Sequence, residues 1–421
     1  MEREYCTRVL ALAGMIGAAA ILSACGGNSP GDSTATAPSA PTTPTTPTTP
    51  TVDNAALVAE GKQTFRFDTF GDETKWTDQL HMEQVVNAVA PTTALSVGLK
   101  VDSEALPDPV VQGILNGSIS LTDPATTVAL VKLNAVIGVK GTVENVNGKD
   151  TVTRVGFTCA LCHSNVDDSF TKGVGKRLDG WPNHDLNVGA IVALSPALAT
   201  DTATKSVLNS WGPGKYDPRN NFDGLNGPAV IPPAYGLNGI HSITVTGDGS
   251  DLQYWNRYVA VTQMGGHGSF TEARTGVNVT NGTDDLVSSK LAGLQAYQLS
   301  LAAPTPPANS FDPAAAARGQ TLFAGMGCAS CHSGPEFTDA NTRLHPASDS
   351  MAEPEVPSYA SRSATKQYRT APLKGVWQHA PYFHNGSAAT LADVVNTYNT
   401  RLGLGLNAQQ KADLVEYLKS L

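Results

Sequence analysis

Along residues 77–90, Leu80, Met82, Val85, Val86 and Val89 recur at helical spacing and share one side, which predicts an amphipathic helix. Residues 56–65 predict a shorter helix ahead of it. Thr122 is placed to cap a third, which runs to about residue 136 through Val128, Leu130, Val131 and Leu133. Alternation then takes over. Residues 142–146 and 151–155 predict two strands, and the Asn147-Gly148 between them is a hairpin turn signal. From about residue 163 to 284 the periodicity fades among Gly, Pro, Asn and Trp. So long a loop is improbable without a body to wrap, and it reads as ordered chain packed on a cofactor. Asp284 and Asp285 open a helix through Leu286, Leu291, Leu294 and Leu299, which Pro304 ends. Residues 314–323 predict another helix. Thr390-Leu-Ala-Asp393 is a capping box before Val394, Val395 and Tyr398, and Asn407 caps a last helix with Leu414, Val415, Leu418 and Leu421 at core spacing. Residues 59–65 (Ala-Glu-Gly-Lys-Gln-Thr-Phe) echo residues 317–323 (Ala-Arg-Gly-Gln-Thr-Leu-Phe), as a duplicated unit with an insertion would. The pattern predicts a mainly α fold.

The first residues have no such pattern. Arg3 and Arg8 precede an apolar run over residues 9–22, too short to cross a bilayer comfortably, that ends in Leu22-Ser23-Ala24-Cys25. This ending resembles a bacterial lipobox. Residues 1–25 are therefore expected to be a lipoprotein signal peptide, with Cys25 as the lipid anchor. Residues 26–54 are rich in Thr and Pro and are expected to be an extended linker. The expectation is an exported protein held at a bacterial membrane, on a periplasmic or cell-surface face. Lys and Arg number 28 against 37 Asp and Glu, a net charge of −9, which argues against nucleic acid as a partner.

Cysteine placement changes the picture most. Of six cysteines, Cys6 and Cys25 fall in the signal segment, and the other four form Cys159-Ala-Leu-Cys162-His163 and Cys328-Ala-Ser-Cys331-His332. Both strings fit c-type haem attachment. Two thiols one helical turn apart reach the two vinyl groups of one porphyrin, and the adjacent His serves as proximal iron ligand. A four-cysteine zinc site, a redox dithiol pair or two disulfides would not call for a His after each pair. Two covalently bound haem c groups are expected.

Two further strings carry a resemblance. Gly334-Pro335-Glu-Phe337-Thr-Asp339 follows the second motif. Farther on stands Tyr368-Arg-Thr-Ala-Pro372-Leu-Lys-Gly-Val-Trp377-Gln-His-Ala-Pro381-Tyr-Phe-His384-Asn-Gly386-Ser. They resemble the bacterial dihaem cytochrome c peroxidase/MauG superfamily, closely over residues 314–421 and elsewhere only through the first motif and the layout. The resemblance implies two cytochrome c-like haem domains, here residues 55–308 and 309–421, with extended loop insertions and a short β-hairpin. In that superfamily the outer ligand of the second haem often stands fourteen residues beyond the His of Ala-Pro-Tyr-x-His, as Met in the peroxidases and Tyr in MauG-like members. Here that position is Tyr398. Rubber-oxygenase-like relatives use a His, for which His384 is the match. His384 and Tyr398 are thus alternative axial ligands, with Met351 behind them. The missing Met argues against a His/Met electron-entry haem.

For the first haem the distal candidates are His184, His267, Met264 and His241, and an open iron is the further alternative. A tryptophan between the haems is a family feature that Trp181, Trp211, Trp255 or Trp377 could supply. Asp217, Asn220, Asn221 and Asp223 form an oxygen-rich cluster, which reads as a plain loop or as a calcium site. The function expected is electron transfer with a small cytochrome c or cupredoxin as partner. Peroxidase reduction of hydrogen peroxide at the N-terminal haem, oxygenation as in the rubber-oxygenase-like branch, and electron carriage without a substrate all remain open at this point. In the enzyme reading a His or Glu near the distal face assists O–O cleavage.

Overall fold

The computed structural model describes residues 54–249, 251–352 and 358–421. The expected signal peptide with Cys25, and the Thr/Pro linker up to residue 53, lie outside the described residues.

Helix Asn54–Phe67 crosses helix Leu291–Ser300 so closely that a Cβ on Gly61 would stand 1.8 Å from the carbonyl oxygen of Gly293. Four residues on, Phe65 is fully buried and meets Tyr297 edge to face at 5.5 Å. The arrangement recurs downstream. Helix Pro313–Gly325 crosses helix Ala408–Lys419, where a Cβ on Gly319 would come within 2.0 Å of the carbonyl oxygen of Asp413. Phe323 meets Tyr417 at 5.2 Å. The echo between residues 59–65 and 317–323 is therefore one helix crossing made twice. Each glycine lets two backbones touch, and each phenylalanine fills the space beside them.

Between these pairs the chain departs from its pattern in places. The helix expected over residues 77–90 is divided: Thr74–Gln79 is a π-helical turn and Met82–Ala88 an α-helix, separated at His81, which is left-handed at φ 54°. Asp123, not Thr122, caps helix Pro124–Lys132, its carboxylate accepting from the Ala125 N–H. The expected hairpin is present and longer. Val139–Val146 pairs antiparallel with Lys149–Phe157 around Asn147 and Gly148, both at positive φ as a tight two-residue turn requires. Asp284 and Asp285 do not open an α-helix directly. A 3-10 turn, Ser288–Lys290, intervenes before Leu291.

The stretch read as loop holds more regular structure than expected. It contains helices Val188–Val192, Thr202–Ser210 and Leu252–Tyr258, a π-helical turn Val259–Met264, and a hairpin of Gly268–Glu272 with Val277–Asn281. These elements are short and bounded by Gly and Pro, so no hydrophobic period runs long enough to mark them. The capping boxes at Thr390/Asp393 and Asn407/Gln410 form as the pattern predicts. The described strands pair in two-stranded sheets, and the fold is mainly α. Among the described residues no helix is long and apolar enough to cross a membrane.

Candidate functional site

The long hairpin ends at Phe157 and delivers Thr158 to the first motif. There the Thr158 N–H donates to the Gly138 carbonyl at 3.0 Å, and Cys159 begins a helical turn, Ala160–His163. The Asn183 N–H donates to the Cys162 carbonyl at 2.9 Å and the Gly180 N–H to that of His163 at 2.8 Å, so the motif is held from both sides. His163 Nδ1 lies 3.0 Å from the Pro232 carbonyl oxygen. A ring that donates through Nδ1 keeps its lone pair on Nε2, the tautomer that an iron ligand needs. Burial holds the His163 ring neutral, its ionisation lowered to about 4, and pushes the thiols of Cys159 and Cys162 up to about 12.

The second motif is built differently and reaches the same chemistry. Gly327 is left-handed at φ 81° and turns the end of helix Pro313–Gly325 into a 3-10 turn, Cys328–Ser330. His332 Nδ1 lies 3.2 Å from the Phe337 carbonyl and 3.1 Å from that of Ala371. Again Nε2 is the nitrogen left for a metal. None of the four cysteines is in a disulfide. Free neutral thiols are the form that adds across a vinyl group to make a thioether.

Both motifs open into one cavity of about 710 Å³, lined by Cys159, Cys162 and His163 and by Cys328 and His332. Its wall is largely apolar, with Phe157, Leu161, Leu252, Phe323, Val395 and Leu418 among the side chains that form it. An apolar wall, free thiols and correctly tautomerised imidazoles fit a c-type haem at each motif.

A family model described as RoxA-like, cytochrome c-like matches residues 367–403. Cytochrome-c peroxidase IdrP1 of Denitromonas iodatirespirans is 30% identical over 151 residues, 26% of this chain and 40% of that protein. The chain thus spans about two-fifths of that relative's length. Over these segments the chain is similar to the cytochrome c peroxidase/MauG superfamily. Two solved structures are similar in part. Hydrazine synthase of Kuenenia stuttgartiensis, pressurized with xenon, is 20% identical at a TM-score of 0.31, over 48% of this chain and 74% of that one. A MauG-like protein associated with microbial copper homeostasis is 20% identical at a TM-score of 0.33, over 47% and 74%.

Both alternatives for the second outer ligand line the cavity, in different surroundings. Burial, with the Cys328 and Cys331 thiols close by, pushes the Tyr398 hydroxyl up to about 12. The buried His384 ring instead lies against Tyr359 and Tyr368, at 5.5 and 5.1 Å. Met351 is not in the wall. Among the candidates for the first haem, Met264 lines the cavity, and His184, His241 and His267 do not. His184 turns Nδ1 to the Ala380 carbonyl at 2.6 Å and Nε2 to that of Ile231 at 2.8 Å, which leaves no ring nitrogen for a metal. His267 is taken up by Asp284 at 2.8 Å and lies 3.4 Å from the Thr74 hydroxyl. Trp211 and Trp255 are in the wall, while Trp181 and Trp377 meet edge to face at 6.0 Å.

The acids of the oxygen-rich cluster have a cation of the chain beside them. Arg362 reaches Asp223 at 2.6 Å and Asp217 at 3.0 Å, so a guanidinium supplies the positive charge between these acids. Sequence reasoning also missed residues of the wall. His379 lines the cavity from inside the string that carries the resemblance, but nothing in its neighbours set it apart. Lys75, Gln263 and Arg369 line it too, each a single polar residue that no spacing rule marks.

Proposed function

We propose that the chain is an exported two-haem c-type cytochrome in which electrons enter at the second haem and hydrogen peroxide is reduced at the first. The observation that carries this reading is the shared cavity. Both attachment motifs face one apolar space, and of the outer-ligand candidates for the first haem His184, His241 and His267 do not line it while Met264 does. In this reading His163 would hold the first iron and the Met264 thioether would leave it free to take a ligand.

Bound haem supplies electron storage and cleavage of the O–O bond. Everything else falls to the chain. His163 and His332 would hold the two irons through Nε2, and the carbonyls of Pro232, Phe337 and Ala371, against Nδ1, favour that tautomer. The apolar wall keeps bulk water away, which strengthens every polar contact inside. Trp181 and Trp377 join the segment after the first motif to the segment before His384. Each motif belongs to its own cytochrome c-like unit, residues 55–308 and 309–421. Hydrogen peroxide, two protons and two electrons give two waters. A small cytochrome c or a cupredoxin delivers the electrons, and a lipid on Cys25 holds the protein at the membrane.

The test is low-temperature electron paramagnetic resonance of the oxidised holoprotein before and after hydrogen peroxide. A high-spin signal that peroxide removes supports an open first haem. Two low-spin signals indifferent to peroxide, also after partial reduction, leave a carrier without a substrate. The RoxA-like match favours a second reading, oxygenation of an apolar substrate in the same cavity. It predicts dioxygen uptake with substrate and without an external electron donor.

A further inference from the structure

The first motif's share of the cavity carries one cation that the mechanism above does not use. Lys75 stands on the π-helical turn Thr74–Gln79 and lines the cavity beside Trp76. This turn packs on the strand that enters the motif. Trp76 meets Phe157 edge to face at 4.7 Å, and the Asp72 carboxylate accepts the Phe157 N–H at 3.2 Å. A second π-helical turn, Val259–Met264, faces the first. Lys75 Nζ donates to the main-chain oxygen of Gln263 at 2.5 Å, and the lysine stem lies along Gly265, where a Cβ would come within 2.6 Å of Cδ. The Gln263 side chain is fixed in turn. It accepts from the Tyr216 hydroxyl and donates to the Pro218 carbonyl at 2.8 Å. Helical turns with the wide π geometry are rare and concentrate at functional sites.

Four cationic side chains line the cavity: Lys75, Arg219, Arg369 and Lys374. Arg219 is paired with Asp248 at 2.6 Å and Lys374 with Glu336 at 2.9 Å. Among the described residues, Lys75 and Arg369 have no salt bridge to a carboxylate. Arg369 belongs to the second motif's side, two residues before the Ala371 carbonyl that meets His332. Lys75 belongs to the first. Asp72, one turn earlier, makes no salt bridge to Lys75, and its carboxylate instead accepts the Phe157 N–H at 3.2 Å. An ammonium has three donors. One goes to Gln263, and the face of Trp76 lies 5.0 Å from Nζ. A part-buried cation without a salt-bridged anion is costly, and a bound anion offsets that cost.

We propose that Lys75 is the cationic donor that receives a small anionic ligand, hydroperoxide included, at the first motif's side of the cavity. The assignment rests on the reading that the first haem admits a ligand. It places the polar partner of that ligand on a lysine, held by the main chain of Gln263, in place of the expected His or Glu.

The test uses full-length ferric holoprotein, with fluoride and azide titrated by absorption spectroscopy in wild type, Lys75→Met and Lys75→Arg. Loss of a hydrogen bond from a charged donor weakens fluoride binding by about ten-fold or more. That loss is expected in Lys75→Met, with recovery in Lys75→Arg and haem content unchanged in both. Equal fluoride affinity in wild type and Lys75→Met overturns the assignment while leaving the open-haem reading in place. So does a result in which only the midpoint potential moves, because Lys75 would then serve a haem propionate. A wild type that binds neither anion and does not react with peroxide overturns the open-haem reading and the assignment with it. Should Lys75→Met fail to take up haem, Lys75→Gln against Lys75→Arg makes the same comparison.

Discussion

Phe65 stands edge-on to Tyr297, and Phe323 stands in the same relation to Tyr417, with ring centroids 5.5 and 5.2 Å apart. In each case a glycine four residues earlier lies against the partner helix, Gly61 on Gly293 and Gly319 on Asp413. The side-chain contact can form only because the backbones come this close. Tyr297 and Tyr417 each have their Cβ 2.8 Å from where a Cβ on the facing glycine would sit.

Gly319→Ala should therefore destabilise the C-terminal part. Its new Cβ would meet backbone, which cannot swing aside, at 2.0 Å from the Asp413 oxygen. Overpacking of this kind costs about 1–3 kcal/mol. Gly325 is in the same helix with nothing within 4 Å of its Cβ position, so Gly325→Ala is the control. Thermal unfolding should show a lower Tm for the first variant and an unchanged or higher one for the second.

Arg362 stands where the sequence admitted a calcium ion. Its side chain is 5% exposed and that of Asp217 is fully buried. Removing one member of a buried pair costs about 3–5 kcal/mol, and Arg362→Met should lose that much in urea unfolding. A calcium chelator should leave the wild-type midpoint where it is. A chelator effect would show that the guanidinium is not the cation these acids rely on.

Asp72 gives the protein a pH dependence of known sign. Burial raises its ionisation from 3.8 to about 9, so between these values the folded chain binds a proton that the unfolded chain has released. Stability contributed by this group falls as pH rises through that window. Lys75 is lowered to about 8 by burial and gives the opposite slope only above that pH. Urea midpoints between pH 5 and 7.5 should decline less steeply in Asp72→Asn than in wild type, and the variant should be the more stable at pH 7.5.

Tyr398 and His384 are the two alternatives for the outer ligand of the proposed second haem. Tyr398 has the Cys328 and Cys331 thiols as electrostatic neighbours, whereas His384 lies against two tyrosine rings. On these surroundings Tyr398→Phe should turn the second haem high-spin in electron paramagnetic resonance, and His384→Ala should not. The reverse pattern would transfer the ligand to His384, and two unchanged spectra would remove both from the iron.

Local chemistry was legible along the chain, and so were elements with a strong local signal. The Asn147-Gly148 turn, the capping box of Thr390 with Asp393, and Asn407 as a cap follow from contacts within three or four residues. The elements that the pattern did not predict, such as Val188–Val192 and Val259–Met264, are short and take their stability from what they pack on. The division of the second helix at His81 was equally hidden, since its apolar residues keep helical spacing across the break.

The sequence by itself determined the attachment chemistry that is expected. Two thiols and an adjacent imidazole at that spacing need no distant residue to define them, and the same holds for the family resemblance around His384. Only the tertiary structure decided what surrounds the motifs. It brought Lys75 to Gln263 across 188 positions, closed Arg362 onto Asp217 across 145, and turned His184 away onto main-chain carbonyls. The reason is physical. A buried charge or ring nitrogen takes whatever partner the folded chain presents, and that partner is set by packing between segments whose separation in sequence carries no information about their distance in space.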